Sequence, residues 1–263
     1  MDKIIFNDRD LNEFIKIVND ISGIDLNDKR NIIALKLDKF VNELGVRSVD
    51  EFLSGLRVNK DLKQKTIDFV TISETYFLRE LTQLKEIIKY AKSLEKSVNI
   101  LSAPCASGEE VYSLAILAAQ ILFKDLHIVG IDINTEVINE AKLALYQGRT
   151  LQRLSESEKR RFFTEEKNEE FRIKKNELCT CHFKLCNVFD SHFEKLGKFD
   201  IILSRNMIIY FDNISRMKLL EKFHKLLTDR GRLYVGNADL IPESDYFKKV
   251  FSIKGSYYEK ITF

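Results

Sequence analysis

From Val98 onward the chain alternates short apolar runs with longer helical ones, and that alternation limits its fold more than any other feature. V-N-I-L-S-A (98–103) reads as a short buried strand, G-E-E-V-Y-S-L-A-I-L-A-A-Q-I-L-F (108–123) as an apolar helix, and H-I-V-G-I-D-I (127–133) as a second strand. A helix over T-E-V-I-N-E-A-K-L-A-L-Y (135–146) follows. Then come strand F-D-I-I-L-S (199–204), helix S-R-M-K-L-L-E-K-F-H-K-L-L (215–227), strand R-L-Y-V-G-N (232–237) and a closing strand near Tyr257 to Ile261. Strands that alternate with helices imply parallel βαβ units and a doubly wound sheet.

The first 65 or so residues have a different grammar. Leu11, Phe14, Ile15, Val18 and Ile21 recur at helical spacing until Gly23 stops the run. A second helix carries Ile33, Leu37, Phe40, Val41 and Leu44 on one face, with Gly45 just past its end. Ser48 and Glu51 are placed to form a capping box for a third. The expected organisation is a helical domain over 1–68 and an α/β domain over 69–263. A charged helix and two short strand-like pieces between Ser155 and Cys186 read as a small β insertion.

At 44% hydrophobic residues and no low-complexity tract, a packed core is expected throughout. Lys+Arg and Asp+Glu nearly cancel, to a net charge of +2, which argues against a polynucleotide partner. The N-terminus M-D-K-I-I-F-N-D-R-D lacks the apolar core of a signal peptide, and the longest apolar run, Leu114 to Ala119, is far too short to span a bilayer. A cytoplasmic protein without membrane insertion, acting as a monomer, is the expectation. Four cysteines suit that reducing compartment. Cys179, Cys181 and Cys186 lie beside His182, but C-x-C-H-x3-C lacks the paired knuckles of a zinc site, so they read as ordinary strand cysteines.

In such a sheet a ligand sits at the carboxyl ends of the strands, where strand order reverses. Three strand ends carry polar residues: the small-residue loop A-P-C-A-S-G-E-E (103–110), Asp132, and Ser204-Arg205-Asn206. Small residues admit a ligand to the backbone, and the following helix offers free N–H groups. Asp132, 24 positions after Gly108, suits the two hydroxyls of a ribose, unless it merely caps the helix that begins near Thr135. Glu109 and Glu110 likewise favour a helix N-terminus whatever else they do. A dinucleotide would want G-x-G-x-x-G, whereas this loop has a single glycine, Gly108, and two glutamates where a pyrophosphate would lie. A cationic nucleoside without phosphate, such as S-adenosylmethionine, is the better electrostatic match.

Four segments carry a resemblance. T-I-S-E-T-Y-F-L-R (71–79), S-A-P-C-A-S-G-E-E-V-Y-S (102–113), Asp132-Ile133-Asn134 and S-R-N-M-I-I-Y-F-D (204–212) occur in the order found in the CheR-type chemotaxis receptor methyltransferases, a family the chain resembles over nearly its whole length. The resemblance implies a Rossmann-like S-adenosylmethionine-dependent methyltransferase sheet. The implied reaction transfers methyl groups to glutamate carboxylates on the cytoplasmic helices of methyl-accepting chemoreceptors, with S-adenosylhomocysteine as product. By position, Thr75 and Arg79 should line the methyl-donor site, and Ser73 stands where the family usually has asparagine. Glu110 should meet the methionine or ribose part, Asp132 the ribose hydroxyls, and Asn187 and Val188 the adenine. Asn206 and Met207 should close the pocket, with Tyr210 nearby. The family's β insertion binds a receptor tail in members with a glycine-rich turn there; T-E-E-K-N-E-E (164–170) has no glycine, so tight tail binding is not expected.

Arg79 and Tyr210 are the catalytic candidates. A glutamate acceptor is already ionised at neutral pH, so alignment rather than a general base is what the reaction requires. Arg79 can hold one carboxylate oxygen while the other attacks, unless it simply pairs with Glu74 or Glu80 on the surface. Lys29, Lys36 and Lys39 lie on the second helix away from its apolar stripe and form a candidate docking face for acidic receptor helices. Two alternatives stand beside this reading: a methyltransferase of another substrate, and a non-catalytic nucleoside-binding signalling module.

Overall fold

The computed structural model describes residues 4–252 and 255–262, and the chain divides into two compact units, one of residues up to 72 with 210–216 and one of 73–209 with 217–263. In the helical unit, α1 (Asp8–Ser22) starts at a capping box between Asn7 and Asp10 and ends at Gly23, whose φ of 73° is left-handed. α2 spans Arg30–Glu43, α3 Val49–Val58 and α4 Lys60–Val70. Ser48 caps α3 by accepting from the Glu51 N–H, but the Glu51 carboxylate accepts from the Arg47 N–H at 2.7 Å, one residue earlier than a capping box requires. Phe14, Leu37, Val41, Phe52 and Leu56 fill the core, and Phe40 stacks on Phe69 at 4.1 Å.

Segment 210–216 joins this unit through main-chain contacts. Ile24 bridges Phe211, and the Asp25 N–H donates to the Tyr210 carbonyl at 2.8 Å. Lys29 precedes α2, half-buried, with its ammonium 4.0 Å from the centre of the Tyr210 ring. It does not share the open face expected for it; Lys36 and Lys39 are exposed as expected.

The larger unit runs α5 (Leu81–Ser93), β1 (Val98–Ser102), α6 (Glu109–Gln120), β2 (Leu126–Asp132), α7 (Thr135–Leu143), β3 (Leu145–Tyr146), α8 (Glu156–Phe162), β4 (Phe163–Glu165), β5 (Phe171–Ile173), β6 (Thr180–Leu185), β7 (Phe199–Ser204), α9 (Asn213–Leu226), β8 (Leu227–Val235), β9 (Phe247–Ser252) and β10 (Gly255–Lys260). Seven strands form one sheet in the order β6-β2-β1-β7-β8-β10-β9. The first five are parallel, with Leu101 of β1 between Val129 and Ile202, and β10 is antiparallel to both β8 and β9. β1 and β7 are apolar runs because helices cover both faces of the sheet there. This is the expected doubly wound, Rossmann-like architecture, with a small antiparallel sheet, β3-β5-β4, beside it.

The insertion differs from its expected bounds of 155–186. The small sheet begins earlier, at Leu145, because α7 stops at Leu143 and Ala144 turns left-handed (φ 57°). Residues 180–185 belong to the large sheet as its edge strand β6, with Cys181 opposite Ile128. An edge strand is half solvated, and this explains why T-C-H-F-K-L alternates where the central strands do not. Among the described residues no group of three or more His, Cys, Asp or Glu is placed to hold a metal ion, and no helix is long and apolar enough to cross a membrane.

Gly130 lies mid-strand in β2, beneath the loop that follows β1. A Cβ there would stand 2.9 Å from Cys105 Cβ and 3.0 Å from a Phe183 ring carbon. Gly130→Ala is expected to destabilise the fold by ~1–3 kcal/mol through overpacking, measured by urea unfolding; an unchanged midpoint would mean that the loop yields without resistance.

Candidate functional site

The chain lays down β1, β2 and β6 to one side and then crosses β1 to add β7 and β8, so the carboxyl ends of β1 and β7 border the crevice where strand order reverses. The loop from Ala103 to Gly108 fills one side of it. Gly108 caps α6 at φ 93°, and a Cβ there would lie 3.0 Å from Ala141 Cβ and 3.1 Å from the Tyr146 hydroxyl, so the position requires glycine on both counts.

The other side is organised by Arg205, the first residue after β7, whose side chain is 2% exposed. Nη1 donates to Glu110 Oε2 at 2.6 Å, and Nη2 donates to the main-chain carbonyl of Arg79 at 2.9 Å. Glu80 Oε2 stands 3.3 Å from Nη2 without hydrogen-bond geometry, so that contact is Coulombic. Ser102 donates to the remaining Glu110 oxygen at 2.8 Å. A guanidinium so buried is stable only when its charge is answered, and the two carboxylates answer it. The S-R-N-M segment contained the clue: a charge directly after an apolar strand implies carboxylates from elsewhere.

Asp132, 6% exposed, accepts from the Ala106 N–H at 2.9 Å and from the Asn134 N–H at 3.0 Å. It therefore fastens two strand-end loops together and does not cap α7; Asn134 does, accepting from Glu136 and Val137. Asn206 is left-handed (φ 59°), a conformation costly for a residue with a Cβ. Its N–H is held by Asp239, a buried carboxylate that also accepts from Gly236 at 3.0 Å and Ile209 at 3.3 Å. Nothing local signals Asp239, which lies 33 residues on. Met207 is half-buried, Val188 is buried, and Asn187 accepts from the Phe189 N–H at 2.9 Å in a turn after β6.

Ser73 and Thr75 are half-buried in the segment that leads into α5. Arg79 Nη1 donates to the main-chain carbonyl of Glu74 at 3.0 Å, and its guanidinium lies 5.7 Å from the Tyr76 ring centre. Among the described residues no carboxylate stands at ion-pair distance from it, so the alternative of a surface pairing with the Glu74 or Glu80 side chain is not what the structure shows. The structure thus brings Arg79, Glu110, Asp132, Asn206 and Met207 to one end of the sheet, and Tyr210 groups with the helical unit.

The two glutamates of the loop do not present two free charges. Glu110 is paired, as above. Glu109 is 1% exposed, accepts from the Ser107 hydroxyl at 2.7 Å, and is pushed by burial from 4.5 to about 7. Arg205 between Glu80 and Glu110 makes a cluster with one excess carboxylate, which suits a cationic ligand. The donor set fits as well: the Ser204 hydroxyl, at the end of β7, is fully buried and has no hydrogen-bond partner among the described residues.

Comparison with known proteins agrees. Residues 73–255 match the CheR methyltransferase SAM binding domain and residues 9–71 the CheR all-alpha domain. The chain is 68% identical over 259 residues to the chemotaxis protein methyltransferase of Campylobacter jejuni subsp. jejuni, covering 98% of this chain and 99% of that one. It is 29% identical over 252 residues to that of Borreliella burgdorferi, 88% of each chain, and 27% identical over 246 residues to that of Salmonella typhimurium, 90% of this chain and 85% of the relative.

Glu109 has a thermodynamic consequence. Its folded pKa lies above its unfolded value, so the native state binds the proton more tightly, and stability falls as pH rises from about 4.5 through about 7. The loss is on the order of 3 kcal/mol. Glu109→Gln should gain stability relative to the parent above pH 7 and lose that gain near pH 5, measured by urea unfolding at both values.

Proposed function

The chain belongs to the CheR methyltransferase family, and from that premise we propose that it methylates glutamate side chains on the cytoplasmic helices of chemoreceptors, forming γ-glutamyl methyl esters and S-adenosylhomocysteine. Family membership makes it a chemotaxis methyltransferase with S-adenosylmethionine as donor; the acceptor, the cytoplasmic setting and the residue roles are the proposal. When bound, S-adenosylmethionine supplies an electrophilic methyl group on a positively charged sulfur. Ser73, Thr75, Arg79, Glu110, Asp132, Asn187, Val188, Asn206 and Met207 would hold it.

The observation that carries the reading is the state of Arg79. A guanidinium held by a main-chain carbonyl, with no carboxylate near it among the described residues, keeps its charge for an incoming anion. An acceptor glutamate, with an ordinary pKa near ~4.3, arrives ionised. The protein need not remove a proton; it must fix one carboxylate oxygen and exclude water, and such positioning is worth roughly 7–11 kcal/mol of a barrier.

The helical unit supplies the docking face. Lys36 and Lys39 are exposed on α2 beside Ile32 (55% exposed) and Leu35 (85% exposed), a basic and apolar strip suited to an acidic amphipathic helix. Lys39 pairs only loosely with Glu43, at 3.8 Å.

Radiolabel from methyl-labelled S-adenosylmethionine should enter receptor fragments as base-labile ester. Arg79→Ala should lower that turnover more than about tenfold and weaken S-adenosylhomocysteine binding far less than it lowers turnover; turnover surviving within tenfold, under ~1.4 kcal/mol, removes Arg79 from the role. Reversing charge at Lys36 and Lys39 together should weaken receptor methylation at low salt without changing cofactor affinity. Equal methylation by parent and variant would mark that strip as an ordinary solvated face.

A further inference from the structure

The small β3-β5-β4 sheet has no part in the chemistry above, yet it reaches the cofactor rim twice. Tyr146, the last residue of β3, is 5% exposed, and its hydroxyl donates to the main-chain carbonyl of Ser107 at 2.7 Å. Ser107 belongs to the loop between β1 and α6. The same hydroxyl lies 3.1 Å from the place a Gly108 Cβ would take, so it closes on the loop's backbone. Four residues on, the Thr150 carbonyl accepts the Phe77 N–H at 3.0 Å. The Phe77 ring meets Tyr146 edge-on at 4.8 Å and Phe163 of β4 at 5.4 Å.

Phe77 stands between Thr75 and Arg79 in the segment that carries both. Its successors are strained: Leu78 and Glu80 hold left-handed φ values of 58° and 54°. Such backbone persists only where its surroundings over-determine it. Ser113 of α6 secures it from one side by accepting the Leu78 N–H at 2.9 Å, and the small sheet secures it from the other. Burial also pushes the Tyr146 phenol well above its ordinary range, so the group remains a donor at every working pH.

We propose that Tyr146 is a positioning residue for methyl transfer: its hydroxyl fixes the cofactor loop, and its ring ties that loop to the segment bearing Arg79. The inference rests on the cofactor placement given above. Packing alone does not require the hydroxyl, since phenylalanine would fill the same volume. The oxygen is needed because the half-buried Ser107 carbonyl would otherwise lose this donor.

The test is Tyr146→Phe, with Tyr90→Phe as control. Tyr90 donates to the Arg230 carbonyl at 2.7 Å, a bond of the same kind outside the rim. In calorimetric titration, Tyr146→Phe should bind S-adenosylhomocysteine about tenfold more weakly and Tyr90→Phe as the parent does. KM for the donor should rise, with kcat at saturating donor within about threefold. Affinity of Tyr146→Phe within about twofold of the control, or kcat falling while affinity holds, overturns the proposal. If Tyr146→Phe does not fold, hydrogen exchange on the parent decides. Binding of S-adenosylhomocysteine should then protect the amides of Phe77 and Tyr146 together with those of 106–110, and protection confined to the loop overturns the proposal. The titration needs no acceptor, so a parent that binds S-adenosylhomocysteine without esterifying receptor glutamates would sink the acceptor assignment and leave the Tyr146 comparison readable.

Discussion

The buried charge of Arg205 is the constraint on which the rim depends. Its guanidinium draws together the end of β7, the first turn of α6 through Glu110, and the approach to α5 through Glu80 and the Arg79 carbonyl. Its Nε has no hydrogen-bond partner among the described residues, so the charge depends on the contacts at Nη1 and Nη2, and loss of Glu110 would leave a desolvated charge, a defect worth several kcal/mol. Segments far apart in sequence are therefore locked into one geometry by the cost of separating them. The arrangement also sets two carboxylates around one cation, both within 3.3 Å of the guanidinium.

Glu109 and Glu110, adjacent in sequence, show how environment divides the roles of like residues. Both occupy the first turn of α6, where the helix dipole favours negative charge. Glu110 faces Arg205 and Ser102 and accepts a hydrogen bond from each. Glu109 turns inward, with Tyr146 and Glu140 near it, and desolvation overrides the dipole and the Ser107 hydroxyl, raising its pKa to about 7. A helix-period argument places the two side chains about a hundred degrees apart, but only the packed structure says which face holds a cation.

The parts of the fold that are legible in sequence are those governed by local periodicity. β1, β2 and β7 are apolar because both their faces are covered, and Gly23 and Gly45 mark helix ends because left-handed φ values of 73° and 71° suit glycine. The rim segments were legible as motifs, since small residues and charges at strand ends are hard to explain by packing. Non-local features were not. The return of 210–216 to the helical unit depends on main-chain bonds to Ile24 and Asp25, which no side-chain pattern encodes. Lys29 reads as a solvent lysine until Tyr210 arrives beneath it. The two-residue β3 is too short to carry a period, and β9, with four of its six residues exposed, has too little apolar contrast to stand out from a loop.

What binds these observations is that charge and hydrogen bonding near the rim are spent chiefly on main chain. Asp132 accepts from Ala106 and Asn134; Asp239 from Asn206, Gly236 and Ile209; Arg205 donates to the Arg79 carbonyl; Tyr146 donates to that of Ser107. An enzyme that moves protons needs titratable groups aimed at its substrate with pKa values tuned to the task. A transfer between an ionised carboxylate and a cationic donor has no proton to manage, and its rate is set by how narrowly the reacting atoms are held. Buried carboxylates and a buried phenol that brace backbone, beside one guanidinium with its charge unanswered by any carboxylate among the described residues, are what such a reaction would select.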